Sequence, residues 1–167
     1  MSLETMKLIY FSYFHSLLPY RIIFWRNSVH SKYIFKIQKR TIRITTNAGI
    51  GDSCQNLFKK LQILHFYSHL IYSLLLSVVK NRNLFKLNSD IHGFSTRCDN
   101  DFHLPSAKLK LFQRAVLYSG IKTHSHLPKT IKELSHDVKQ FSLAVRDLLY
   151  QISFILWKSI LTLTGNE

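Results

Sequence analysis

Acidic residues are scarce in this chain. Nine Asp and Glu stand against 23 Lys and Arg, which gives the 167 residues a formal charge of +14. Between Thr5 and Gly51 there is no carboxylate at all. A field this lopsided makes a polyanion the default partner, with an acidic membrane surface second. Five Gly and three Pro are too few for a turn-rich β protein and favour long helices. Two cysteines, Cys54 and Cys98, exclude a disulfide framework, and free thiols fit a reducing compartment, cytoplasm or nucleus. No run reaches the roughly 18 uncharged apolar residues of a spanning helix. "FYSHLIYSLLLSVV" (66–79) comes nearest, and His69 interrupts it. The early run "LIYFSYFHSLL" lacks a small-residue cleavage site and continues into Tyr20 and Arg21, unlike a signal sequence.

Catalytic signatures are also missing. There is no Gly-x-x-x-x-Gly-Lys phosphate loop, no His-Glu-x-x-His and no Gly-x-Ser-x-Gly. Asp99 and Asp101 form a carboxylate pair, but they fall in an aperiodic stretch and read as exposed turn residues. Nine histidines include the helical pair His65 and His69 and the close pair His124 and His126. A structural zinc site wants four clustered ligands, usually with thiolates at short spacing, and only Cys54 is near. The expectation is no catalytic residue, no cofactor and no metal.

What is present is a helical pattern. Apolar residues make up 46% of the chain, enough for a core. In "IFKIQKRTIRI" (34–44), Lys36, Lys39, Arg40 and Arg43 fall within an arc of about 100° when turned as a helix. Ile34, Phe35, Ile37, Ile42 and Ile44 occupy the other side. This is an amphipathic helix whose polar face holds cations without the interspersed acids that surface helices use for i,i+4 pairing. Such a face suits contact with a nucleic-acid backbone, independent of sequence.

Around it, residues 4–26 read as a helix kinked or split at Pro19. After the turn "TTNAGIGDS", Asp52 and Gln55 form a capping-box pattern for a helix with Leu57, Phe58, Leu61 and Leu64 inward. A helix over about 68–80 is apolar almost all round and should be the most buried element. Residues 81–105 show no sustained period. Residues 109–128 are ambiguous between helix and extended chain, and a last helix runs from about Ser135 to Tyr150. The expected architecture is all-α: a bundle over 4–81, an irregular linker over 82–105, a C-terminal helical piece over 106–151 and a tail over 152–167. No internal repeat is present.

Several of these blocks, in order, resemble a known family. "YFSYFHSLLPYRIIFWRNS" (10–28) is similar to the segment after the polymerase core of non-LTR retrotransposon reverse transcriptases, particularly insect ones, and "IFKIQKRTIRI" to the basic helix that follows it. "DSCQNLFKKLQIL" (52–64) resembles the family's Asp-Ser-Cys-x-x-Leu-Phe-x-x-Leu block. "YSGIKTHSHLPKTIKEL" (118–134) resembles its Gly-x-Lys-x-x-x-x-Leu-Pro-x-x-Ile-Lys signature, and "FSLAVRDLL" (141–149) its closing helix. Arg21 and Arg26 replace glycines of the family pattern, and His65 replaces a proline.

The resemblance implies the thumb and post-thumb region of an RNA-directed DNA polymerase, whose Tyr-x-Asp-Asp palm would lie upstream. Thumb helices of that family hold primer–template by its backbone, a role that would fall to Lys36, Lys39, Arg40 and Arg43. By itself such a remnant would have no enzymatic activity, no small-molecule substrate and only weak, nonspecific binding of DNA, RNA or their hybrid. "FILWKSILT" (154–162) can be written in codons that, shifted by two bases, encode a Tyr-Ser-Leu-Glu-Glu-Tyr-Phe-Asn ending typical of the family, so a frameshift is expected near Phe154. Two other readings stay open. One is a small membrane-associated protein using 8–25, 66–79 and 152–164 as apolar segments beside basic flanks. The other is a translated insertion with no selected function.

Overall fold

The structure is a computed structural model that describes residues 3–16, 22, 30–49, 51–91, 93, 99–113 and 115–151. The expected break at Pro19, Arg21, Arg26 and the divergent tail over 152–167 lie outside the described residues.

The chain is all-α. Among the described residues eight α-helices follow one another: α1 Leu3–Ile9, α2 Ser31–Thr46, α3 Cys54–Leu61, α4 Phe66–Lys80, α5 Lys110–Gln113, α6 Val116–Ser125, α7 Lys129–Glu133 and α8 Val138–Gln151. A π-helical segment, Tyr10–His15, continues α1. Among the described residues the only β pairing is an isolated antiparallel bridge between Leu87 and Phe102.

The most apolar helix is the innermost one, as its sequence predicts. Phe66, Leu70, Ile71, Leu74, Leu75, Val78 and Val79 of α4 are all buried. One side of α4 meets Leu127, Ile131, Phe141, Val145 and Leu149. Another meets Ile22 with Ile34 and Phe35 of α2. Val78 packs with Phe102 and Ile121. The expected bundle over 4–81 and C-terminal piece over 106–151 therefore share a core built around α4. At Gly120 in α6 a Cβ would lie 2.5 Å from Val78 Cγ2, so glycine is what lets α6 approach α4 this closely.

Helix ends differ in detail from the sequence expectation, for local reasons. Ser53, not Asp52, is the N-cap residue of α3, and it makes no side-chain cap bond. The Asp52 carboxylate instead accepts from the Gly49 N–H at 2.8 Å, closing the preceding turn. α4 starts at Phe66 rather than 68 because His65 caps it: its Nδ1 accepts from the Ser68 N–H at 3.1 Å. α8 starts at Val138 because Asp137 Oδ1 accepts from the N–H groups of Lys139 and Gln140, at 2.8 and 3.3 Å. Asn47 and Gln62 end α2 and α3 in the left-handed region.

The described parts of the aperiodic stretch, 86–91 and 99–103, are held together by main-chain bonds. Asn88 N–H donates to Asp101 O, Ser89 N–H to Asp99 O and His103 N–H to Lys86 O. Asp101, expected as an exposed turn residue, is instead half-buried and bonds Lys132 Nζ at 2.8 Å. No single helix among the described residues is long and apolar enough to cross a membrane. α3 and α4 together reach that length and composition only as a pair bent by 51°.

Candidate nucleic-acid interface

The rotation of α2 about its own axis decides which cations reach solvent. Gln38, Ile42 and Thr45 are its buried residues, and Gln38 anchors the arrangement. Its Nε2 donates to Tyr10 Oη at 2.8 Å and to the Leu64 carbonyl at 3.1 Å. Its Oε1 accepts from the Phe66 N–H at 2.7 Å, one of the donors that a helix start leaves unpaired. Burial pushes the Tyr10 phenol up to about 12, with the Gln38 bond acting weakly the other way. A single glutamine thus ties α2 to the π-helical segment and to the first turn of α4.

This anchor turns the predicted apolar side. Ile37 and Ile44, assigned to it by their angle, are 55% and 62% exposed. With Tyr33, at 63%, they form an apolar flank along the cationic stripe.

Of the four predicted cations, Lys36 and Arg40 are exposed and Lys39 and Arg43 half-buried. Lys39 Nζ lies 4.9 Å from the centroid of the Phe35 ring, one helical turn earlier, a cation–π contact that leaves its charge at the surface. Arg43 has a different task. Its Nη2 donates to the Asp52 carbonyl at 3.3 Å, and its Nε is buried without a partner. It braces the turn after α2 more than it faces outward.

Lys32 is the residue that the eleven-residue reading missed. It is exposed in the first turn of α2, and its spacing puts it in the same row as Lys36 and Arg40. The signal was available: extending the 100° rotation two residues upstream of Ile34 brings Lys32 into the cationic arc. The row Lys32, Lys36, Arg40 spans about 12 Å along the helix, roughly three base steps of duplex. Among the described residues no carboxylate pairs with it.

The remaining candidates are dispersed. Asp99 and Asp101 line a pocket of about 570 Å³ that also holds Arg82, Lys132 and His136 and none of the α2 cations. Among the described residues no three His, Cys, Asp or Glu side chains come together as metal ligands would. His65 and His69 are both held near 4 by burial, His69 also by the nearby His15 and Arg146. Cys54 is a half-buried free thiol. Comparison with known protein families, with characterised proteins and with solved structures yields no match to this chain.

Proposed function

We propose that the chain is a remnant of the thumb and post-thumb region of a retrotransposon reverse transcriptase, without polymerase activity, that binds nucleic-acid backbones nonspecifically through α2. The observation that carries this reading is the exposed row Lys32, Lys36 and Arg40 in a segment free of carboxylates from Thr5 to Gly51. Lys39 adds a fourth charge at the edge. The family blocks supply the rest of the argument, and no Tyr-x-Asp-Asp motif occurs in the residues present.

A salt titration with a short primer–template duplex tests it. Three phosphate contacts give a slope of log affinity against log salt of about −2.7, and four about −3.6. Changing Lys32, Lys36 and Arg40 together to Gln is expected to flatten the slope to about −0.9 or less, the share left to Lys39. Arg43→Gln is expected to leave the slope within about one unit and to lower the melting temperature instead. An unaltered slope in the triple variant, with the fold intact, removes α2 as the binding face.

A further inference from the structure

A second site lies away from α2, where the π-helical segment, α4 and α8 meet. A cavity of about 170 Å³ is lined there by Phe11, His15, His69, Tyr72, Arg146 and Tyr150, with the chain at 62–64 closing one side. The His15 and His69 rings stand 5.0 Å apart, edge to face. His69 is only 6% exposed, yet its Nε2 is buried with no hydrogen-bond partner. A buried polar atom left unmatched is costly unless something else meets it.

The other polar groups define what that something is. Arg146 Nε donates to Tyr150 Oη at 3.2 Å, and Tyr150 Oη donates to the Gln62 carbonyl at 2.6 Å. This relay holds the guanidinium at the cavity mouth. No carboxylate lines the cavity among the described residues. The larger pocket beside Asp101 offers a contrast, because several of its polar groups bond one another: Lys132 pairs with Asp101, Arg82 with His136 and His124 with Ser135. Here one cation and two imidazoles converge, and no anion is among the described lining residues.

We infer that this cavity binds a small tetrahedral oxyanion, a phosphoryl or sulfate group, through His15, His69 and Arg146. An imidazole Nε2–H and a guanidinium are both donors suited to an oxyanion, and the cavity is large enough for one such group. Phe11 and Tyr72 wall it with apolar surface that strengthens each bond by excluding water. The site does not depend on the α2 interface.

The test follows the imidazole signals by NMR while sulfate is added to the full chain. Saturable shifts of His15 and His69 are expected at millimolar sulfate. His69→Leu removes a polar atom that has no partner, so its fold is expected to persist, and its apparent affinity should fall at least about tenfold. Arg146→Gln should weaken binding similarly. Changing Lys32, Lys36 and Arg40 to Gln should leave the site unaffected, which separates this inference from the α2 reading.

Sulfate keeps its charge between pH 7.5 and 6, so tighter binding at the lower pH would report proton uptake by the imidazoles. The titratable and charged groups packed around the imidazoles are Tyr10, Tyr72, Tyr150, Arg146 and, next to it, Asp147; burial pushes the Tyr10 phenol up, and the Tyr150 hydrogen bond pushes the Arg146 guanidinium up. A 5′-phosphorylated dinucleotide and its unphosphorylated counterpart distinguish the source. Shifts with the phosphorylated form as well as sulfate assign a nucleic-acid end, and shifts with sulfate and inorganic phosphate alone assign a free anion. Histidine signals that move with none of these, or move equally in His69→Leu, overturn the inference.

Discussion

Gln38 illustrates what a single residue can hide in a sequence. It occurs between Ile37 and Lys39 in a stretch read for its charges, yet it is fully buried and both ends of its amide are bonded. The overlooked signal was an amide at the centre of the apolar arc, where burial demands partners. Gln38→Ala strands the Phe66 N–H and the Tyr10 hydroxyl, and is expected to cost about 2–4 kcal/mol in denaturant unfolding. A change under 1 kcal/mol would mean that water replaces the amide.

Gly120→Ala should cost about 1–3 kcal/mol through its clash with Val78. A Val78→Ala background should recover part of that loss, and simple additivity in the double-mutant cycle would refute the contact.

Protonation acts at this scale too. His65, His69 and His124 are all held near 4, chiefly by burial, against about 6.5 unfolded. Their folded-state values are depressed, so the unfolded chain binds more protons below pH 6.5. Stability is then complete above that pH and declines as pH falls towards 4, by up to about 1.4 kcal/mol per pH unit for each group. Thermal melts from pH 7 to 5 should display the decline, and His65→Asn, which can still cap α4, should make it shallower.

At the scale of elements, strongly periodic segments were legible and their ends were not. The predicted inward faces of α3 and α8 recur in the structure: Phe58 and Leu61 are buried, as are Phe141, Val145 and Leu149. Boundaries slipped by up to three residues because a cap is chosen by one side-chain bond, which periodicity does not encode. Asp137→Ala should cost about 1 kcal/mol and fray the first turn of α8, visible as faster amide exchange at Lys139 and Gln140. The azimuth of α2 was misread for a related reason. Its apolar residues span a broad arc, and Gln38 rather than the Ile residues selects the part that turns inward. The order in 86–91 and 99–103 was illegible because backbone bonds carry it, and those leave no side-chain pattern. Asp101 reads as exposed in the sequence for a different reason: its partner Lys132 lies 31 positions away.

Across the whole molecule, the all-α class could be read from the low Gly and Pro content and the helical periods. The shared core could not, because periodicity reports which face of a helix is apolar but not what covers it. Several residues of the family-like block at 118–134 turn out to serve that core. Gly120 admits α6 against α4, Leu127 and Ile131 enter the main cluster, and Lys132 pairs with Asp101. Pro128 is the N-cap residue of α7. A fragment of residues 1–81 would leave α4 uncovered on the side facing α6 and α8. It is expected to lack a cooperative thermal transition, and a sharp melt of the fragment would restore the idea of two separate units.

The enclosure of α4 also has a temporal side. Tyr150 reaches back 88 residues to the Gln62 carbonyl, and Tyr72 bonds Ser142 across 70. During synthesis the greasiest helix leaves the ribosome well before the strand of chain that will wrap it has been made. For those seconds it presents a sticky surface, and a holding chaperone or a neighbouring nascent copy has its best opportunity to seize it.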